Sequence, residues 1–194
     1  NWKSGCFSII AFSLFFSESY KATDKINAYA TYAKSYKPVG LNVAGLPTVS
    51  GQPALDLAVI KPEDVNHYEV GVKTSPLKNS ILNLTLFNTE IRDFQTNVQA
   101  AELGVNRGYL ANADKVRVRG AELDASFVLN KNLTLNGSAT YTEGTYEKFT
   151  NAPLPLEETG SQVSFKDVSG TDLPGTSRWA GSLGGEYTET GKFF

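Results

Sequence analysis

The chain has 194 residues, of which 41% are hydrophobic and 20% are charged, and its formal net charge is −2. No apolar run reaches the roughly 18 residues that a membrane-spanning helix needs, and no basic cluster indicates nucleic-acid binding. The single cysteine, Cys6, excludes an internal disulfide framework. The sequence contains no methionine and starts at Asn1. We therefore expect a processed product or, because strand patterns run at both ends, a fragment of a longer chain.

Residues 1–18 form the least regular segment. Gly5 to Phe16 (GCFSIIAFSLFF) is almost wholly apolar and lacks the alternation seen later. One interpretation is a secretory signal core, with Lys3 as its charged region. The other is an atypical first strand or the irregular end of a fragment. We therefore treat 1–18 as an uncertain segment and 19–194 as one region built from strands.

Beyond this segment, candidate strands of about ten residues or more are separated by gaps that alternate between short and long. The short gaps are 22–25, 77–80, 130–132 and 189–192, and the long gaps are 38–62, 99–114 and 150–174. Short turns at one end and long loops at the other are typical of outer-membrane barrels. The spacing predicts an all-β, antiparallel, up-and-down transmembrane β-barrel segment of about six or seven strands, with short periplasmic turns and long extracellular loops.

Within the strands, apolar and polar side chains alternate with a period of two. In one strand, Ala121, Leu123, Ala125, Phe127 and Leu129 alternate with Glu122, Asp124, Ser126 and Val128. Upstream, Arg117 and Arg119 fall on the apolar parity, so either they lie beyond the hydrocarbon band or a bulge near Gly120 resets the register. The alternation fits both a membrane barrel and a soluble β-sandwich.

Two features favour the barrel. The strands are long, and Tyr141, Trp179 and Tyr187 fall where an aromatic girdle would meet the membrane interface. Two other functions stay open: a passive porin-like channel with clustered charges at a constriction, and a soluble β-sandwich that binds carbohydrate or another protein.

Four segments resemble TonB-dependent outer-membrane receptors. They are Tyr29 to Asn42 (YATYAKSYKPVGLN), Lys61 to Lys73 (KPEDVNHYEVGVK), Asn112 to Leu123 (NADKVRVRGAEL) and Asp172 to Leu183 (DLPGTSRWAGSL). The resemblance implies that 19–194 is part of a lipid-embedded barrel of roughly 22 strands. It places the protein in the outer membrane of a Gram-negative bacterium, with the plug domain and the TonB-contacting segment outside this chain. It also implies uptake of a scarce solute, most often a ferric siderophore, energised by the TonB-ExbB-ExbD system.

Two groups of residues are candidates for function. Aromatic and cationic side chains, which suit a negatively charged ferric chelate, lie at predicted strand–loop junctions: Tyr36, Lys37, Arg107 and Tyr109. Polar residues on the predicted lumen face, which we expect to contact the plug, are His67, Glu69, Glu122 and Asp124. The alternative role of the first group is packing at the interface girdle and the barrel rim.

We expect no enzyme activity, no metal site and no cofactor. His67 is the only histidine, so no histidine metal cluster can form. Glu122 and Asp124 share a face at a spacing of two residues, but we interpret them as lumen charges and not as a catalytic carboxylate pair.

Overall fold

The computed structural model describes residues 13–43, 46, 48–49, 52–102, 105–154 and 165–189, with the backbone alone at 48–49, 53, 99–102 and 105–107. The strands of this part are numbered in chain order. The long strands are β1 (Leu14–Thr23), β2 (Ile26–Lys37), β7 (Glu63–Thr74), β8 (Ile81–Glu102), β9 (Val105–Val128), β10 (Leu133–Lys148) and β13 (Trp179–Tyr187). The short strands are β3 (Gly40–Leu41), β4 (Thr48–Val49), β5 (Gln52–Pro53), β6 (Val59–Ile60), β11 (Ala152–Pro153) and β12 (Phe165–Lys166).

The long strands form one antiparallel sheet in the order β1-β2-β7-β8-β9-β10-β13. Each long strand between the two edge strands, β1 and β13, therefore pairs with the long strands before and after it in the chain. The predicted all-β, up-and-down portion of a barrel is confirmed. The short strands form the two-stranded ladders β3–β6, β4–β5 and β11–β12 within the long connections. The described part of the chain holds no helix of the length and apolarity that a bilayer crossing requires.

The short turns follow from local residue chemistry. Pro76, which has no N–H for a strand ladder, follows the end of β7. Asn79 then adopts a φ of 57°, a conformation that Asn tolerates better than most residues. Between β9 and β10, the Asn130 side-chain oxygen accepts the Asn132 backbone N–H at 2.8 Å, which closes the turn.

The end of the uncertain segment is a strand. β1 begins at Leu14 and pairs with β2 in continuous register from Leu14 opposite Lys34 to Lys21 opposite Asn27. The rest of that segment, 1–12, lies outside the described residues. Residues 14–18 thus belong to the same sheet as the region that follows.

The predicted loop at 99–114 is wrong. β8 and β9 stay paired from Phe94 opposite Ala113 up to Glu102 opposite Val105. Residues 94–102 and 105–113, named here the hairpin extension, rise above both neighbours because the pairing of β7 and β10 stops opposite Arg92 and Lys115, respectively. A strand between lipid and water must alternate apolar and polar side chains, but the hairpin extension lies outside the membrane and has no such requirement. The alternation is therefore weak there although the two strands remain paired.

One face of the sheet is a band of exposed apolar side chains. Relative exposure in this band reaches 52% at Val70 and 89% at Leu183. The other members include Val72, Leu84, Leu86, Leu123 and Trp179. The described residues contain no second layer that covers the band, although a sandwich would need one. A contiguous apolar face of this kind is unusual on a soluble monomer and expected on a strand wall that faces lipid.

The two arginines on the apolar parity lie beyond this band. β9 keeps its register with β8 and with β10 through Gly120, which lies opposite Phe87 and Thr142. The alternative of a bulge near Gly120 is therefore wrong. Arg117 and Arg119 continue the lipid-side face towards the loops.

The buried core lies at the loop end of the sheet. Its members are Ala113, Val116, Tyr146, Phe149 and Ala152, with Ile91, Phe94, Val98, Val118, Val168 and Leu173 packed against them. The connection after β10 folds back along that strand, because Leu173 N–H donates to Gly144 O and Tyr146 N–H to Thr171 O, both at 2.9 Å. The described residues of the loop end thus form a packed structure.

Candidate functional site

Aromatic rings separate the apolar band from the loop end. Tyr32 and Tyr68 pack with ring centroids 5.2 Å apart, and Tyr141 and Trp179 with centroids 4.9 Å apart. Tyr187 lies at the other end of β13, opposite Leu133. β13 has nine residues from Trp179 to Tyr187, which matches the roughly 9–11 residues of a tilted transmembrane strand. These side chains mark the two interfaces.

Beyond the rings, ion pairs join β8, β9 and β10. Lys115 Nζ lies 3.2 Å from Glu90 Oε2 and 2.8 Å from Glu147 Oε2. Arg117 reaches Glu147 at 2.7 Å, and Arg119 reaches Glu143 at 2.8 Å. The hydrogen bond from Lys115 lowers the pKa of Glu147, helped by the charges of Arg117 and Lys115. These pairs hold the three strands in register above the membrane interface.

The lumen face carries a hydrogen-bonded network that includes two predicted site residues. Tyr29 Oη donates to Glu69 Oε1 at 2.7 Å and lies 3.0 Å from the Thr85 hydroxyl. His67 Nδ1 lies 2.8 Å from the Thr89 hydroxyl, and its Nε2 lies 3.4 Å from Glu69 Oε2. His67 and Glu69 therefore have partners within the wall, and their contact with a plug stays a prediction.

The two lumen carboxylates of β9 are more open. Glu122 lies opposite Thr85 and Thr140, and Asp124 lies opposite Asn83 and Ser138. Within the described part of the chain neither forms an ion pair. Both side chains are exposed on the lumen face, where a partner could reach them.

Unpartnered acceptors occur on the same face, nearer the short turns. The side-chain oxygens of Asn27 and Asn83 are shielded from solvent and have no hydrogen-bond partner among the described residues. Both asparagines line an open cleft of about 520 Å³. The lumen wall therefore presents carboxylate and amide oxygens that need donors. Grouped metal ligands are absent from the described residues, since no three His, Cys, Asp or Glu side chains lie together.

The structure does not group the predicted ligand-binding residues. Tyr36 is 40% exposed and shares the lipid-side face of β2 with Tyr32. Lys37 Nζ lies 3.1 Å from Glu63 Oε1. Tyr109 is buried at 7% exposure, and burial raises the pKa of its hydroxyl. Arg107 lies in β9 of the hairpin extension, but its side chain is outside the described residues. Their role in ligand binding stays a prediction.

A buried polar junction lies at the top of β7 and β8. Glu63 and Gln95 are each 7% exposed. Glu63 Oε1 accepts the Gln95 backbone N–H at 2.9 Å and also a hydrogen bond from Lys37. The Gln95 side-chain amide donates to Pro38 O at 2.7 Å and to Lys61 O at 3.1 Å. Gln95 thus ties together the two ends of the 38–62 loop.

Two asparagine side chains attach the same loop to the hairpin extension. Asn42 Nδ2 donates to Leu110 O at 3.0 Å, and Leu110 N–H donates to Asn42 Oδ1 at 2.7 Å. Asn112 repeats this arrangement with Lys61, accepting its N–H at 2.9 Å and donating to its carbonyl at 3.1 Å. A side-chain amide offers the same donor and acceptor as a peptide group, so each asparagine substitutes for a neighbouring strand.

The sequence analysis did not predict this junction, although most of its residues lie in the four segments that resemble the receptor family. Lys37 and Asn42 belong to the first of the four segments noted in the sequence, Lys61 and Glu63 to the second, and Asn112 to the third. Three distant segments meet at one place in the fold. The available signal was the presence of polar residues at the ends of those segments, but their partners are backbone atoms that no side-chain pattern reveals.

Comparison with known proteins agrees with this architecture. The family model described as TonB dependent receptor-like, beta-barrel matches residues 11–194. The chain is 26% identical over 184 residues to the ferrichrome outer membrane transporter/phage receptor of Escherichia coli K12, covering 87% of this chain and 22% of that protein. It is 29% identical over 130 residues to the probable TonB-dependent siderophore receptor PiuA of Acinetobacter baumannii, covering 67% of this chain and 17% of that protein.

A solved structure shares the fold. The ferric yersiniabactin uptake receptor FyuA from Yersinia pestis superimposes with a TM-score of 0.60 at 21% identity, covering 88% of this chain and 22% of that one. The chain thus spans about a fifth of the length of these proteins. The family model, the membrane-facing band and the up-and-down sheet agree, and the chain belongs to the TonB-dependent receptors of the Gram-negative outer membrane, as part of their β-barrel.

Proposed function

We propose that this chain forms part of the wall of a receptor that binds a ferric siderophore and takes it up with energy from the TonB-ExbB-ExbD system. Family membership over residues 11–194 is the observation that carries the proposal. It is supported by a wall with one apolar and one polar face, and by relatives whose names specify ferrichrome and siderophores. The protein would bind and move its solute without making or breaking covalent bonds.

We propose Tyr36, Lys37, Arg107 and Tyr109 as the first ligand-side residues to test. Tyr36 is exposed near the loop end, and Arg107 lies in the hairpin extension. Lys37 is paired with Glu63, and Tyr109 is packed within the extension. The latter two would therefore act mainly by shaping the rim around the ligand.

We also propose that His67, Glu69, Glu122 and Asp124 face the plug domain of the complete receptor. The open carboxylates of β9 and the unpartnered amide oxygens of Asn27 and Asn83 support this proposal. A plug surface that carries Arg or Lys would supply the missing donors, because buried polar groups are rarely left without partners.

The test uses the complete receptor that contains this chain, produced in a Gram-negative strain that lacks its own siderophore receptors. Radioactive iron is supplied as separate hydroxamate, catecholate and phenolate complexes, in cells with and without a functional TonB system. We expect uptake of at least one complex and its loss without TonB. Uptake that continues without TonB would identify a passive channel, and failure to take up any complex would overturn the siderophore assignment.

A further inference from the structure

Three side-chain amides join the 38–62 loop to the hairpin extension. They belong to Asn42, Gln95 and Asn112 and are named here the amide clamp. Gln95 bonds to carbonyls at both ends of the loop, Pro38 and Lys61. Asn42 reaches across to the extension, and Asn112 reaches back from it. The clamp therefore acts at the loop ends and within the loop.

The two ends of the loop pair with each other. β3 pairs with β6 through Gly40 opposite Ile60 and Leu41 opposite Val59. Asn42 N–H continues this ladder to Ala58 O at 3.1 Å, and Asn42 Nδ2 also donates to Leu57 O at 2.7 Å. One asparagine thus completes the ladder of the loop and bonds to the extension.

The contact between the two bodies is close-packed. A Cβ atom on Gly40 would lie 3.1 Å from Leu110 Cδ1 and 3.2 Å from Gln95 Oε1, so the loop approaches the extension as closely as its backbone permits. Ile60 is only 2% exposed. Gln95 is also shielded, at 7% exposure, whereas the bonds between Asn112 and Lys61 lie at the exposed edge of the contact. Shielding therefore strengthens the hydrogen bonds of Gln95 most.

The base of the extension is held by the same residues. Asp93 adopts a φ of 51°, in the left-handed region, where Asp and Asn are more frequent than most other non-glycine residues. Its carbonyl accepts a hydrogen bond from Asn112 Nδ2 at 2.6 Å, and its carboxylate lies 3.3 Å from Lys61 Nζ. The point at which β8 leaves the sheet is therefore fixed by the residues that fix the loop.

We propose that the amide clamp makes two segments of the 38–62 loop, residues 38–43 and 54–62, one rigid body with the described residues of the hairpin extension. On this assignment these two loop segments are a fixed wall of the extracellular entrance and not a lid that closes over a solute. Asn42, Gln95 and Asn112 are positioning residues that set where this wall stands. The assignment holds whichever solute the receptor carries.

Isosteric substitutions test the clamp in the complete receptor. Gln95→Glu, Asn42→Asp and Asn112→Asp keep the side-chain shape but remove the N–H donors. The matched control is Asn88→Asp, in β8 and outside the clamp. We expect backbone hydrogen exchange within 38–62 to become about tenfold faster in the clamp variants, with exchange in the membrane-spanning part of β2 and β7 and in the control unchanged.

A distance measurement gives the second readout. Spin labels at Leu41→Cys and Asn97→Cys, in a receptor from which Cys6 and any other cysteine have been removed, report the separation of loop and extension. We expect one narrow distance in the otherwise unchanged protein and a broad distribution with Gln95→Glu or, if that variant fails to fold, with Asn42→Asp. A broad distribution in the unchanged protein, or a folded clamp variant with unchanged exchange and distance, would overturn the proposal. Neither measurement uses a solute, so the result is independent of the uptake test.

Discussion

Tyr29 connects three strands of the wall through one side chain. Its ring lies over Gly71 of β7, where a Cβ atom would come within 2.6 Å of Tyr29 Cζ. The missing side chain at position 71 lets the Tyr29 hydroxyl reach Thr85 on β8. The alternation of side chains predicted that Tyr29 and Gly71 lie in strands. It did not predict that they meet, because the contact depends on the register between β2 and β7, which the pattern within a single strand does not reveal.

We expect Tyr29→Phe to weaken the wall. The change removes a hydroxyl that donates to Glu69, and a lost hydrogen bond of this kind costs about 0.5–1.5 kcal/mol. Urea unfolding of the complete receptor in lipid vesicles measures the difference. Tyr20→Phe is the control, because Tyr20 is 71% exposed. Equal stability of the two variants would contradict the role assigned to the Tyr29 hydroxyl.

Glu147 predicts a pH dependence at the loop end of β10. Its carboxylate is hydrogen-bonded to Lys115, so its folded pKa lies below the ordinary value of 4.5. The resulting stabilisation is fully present above pH 4.5 and is lost as the pH falls through the lowered folded pKa. We expect Glu147→Gln to reduce stability by about 1 kcal/mol or less at pH 7, because the pair is partly exposed.

Unfolding of both proteins at pH 7 and pH 3 tests this expectation. The difference between Glu147→Gln and the unchanged receptor should shrink at the lower pH, because pH 3 lies below the ordinary pKa of 4.5 at which the unfolded chain takes up the proton. Glu189→Gln serves as the control, since Glu189 is exposed, forms no ion pair within the described residues and has no part in the proposed plug contacts. A difference that stays constant or grows towards pH 3 would contradict the assignment.

Strands with a complete alternation were the most predictable elements. Val116 to Leu129 lies in β9 almost as the pattern indicated, because lipid and water impose opposite demands on successive side chains. The last residues of β8, 99–102, and the first of β9, 105–114, were mistaken for a loop, since they lie outside the membrane and no longer face that demand. Pairing there is maintained by the opposite strand and by the packed loops.

At Gly120 the strands β8, β9 and β10 come close together. A Cβ atom there would clash with the backbone oxygen of Tyr141 and lie 2.7 Å from Phe87 Cζ. We expect Gly120→Ala to destabilise the receptor by about 1–3 kcal/mol, because a backbone neighbour cannot move aside cheaply. Gly184→Ala is the matched control, since nothing lies within 4 Å of a Cβ at that position. Comparable unfolding midpoints for the two variants would be evidence against the close approach.

The two faces of the wall should respond in opposite ways to a charged substitution. Leu183 is 89% exposed on the apolar face, midway between Trp179 and Tyr187 along β13. We expect Leu183→Arg to cost about 2–4 kcal/mol, the penalty for a charge near the middle of the bilayer. Its neighbour Ser182 faces the lumen with Ser138, so Ser182→Arg should be tolerated. Heat-modifiable mobility of outer-membrane fractions measures folding, and equal tolerance would remove the membrane assignment.

Fold class was accessible from the sequence because the spacing of turns and the period of two act along the whole chain. The polar junction at the top of β7, β8 and β9 could not be predicted from the sequence, because Asn42, Gln95 and Asn112 bind backbone atoms of residues that are distant in the chain. Such residues look like ordinary loop polar groups until the register of the strands is known. Their role in joining the loop to the hairpin extension is seen only in the three-dimensional contacts.

The hairpin extension has a practical consequence for work on living cells. Its nine described residue pairs, from Phe94–Ala113 to Glu102–Val105, correspond to about 30 Å of strand at ~3.3 Å per residue. This height carries its outermost residues well clear of the lipid headgroups. An antibody or a short epitope tag directed to this apex would report the receptor on intact bacteria, while the embedded part of the protein stays out of reach.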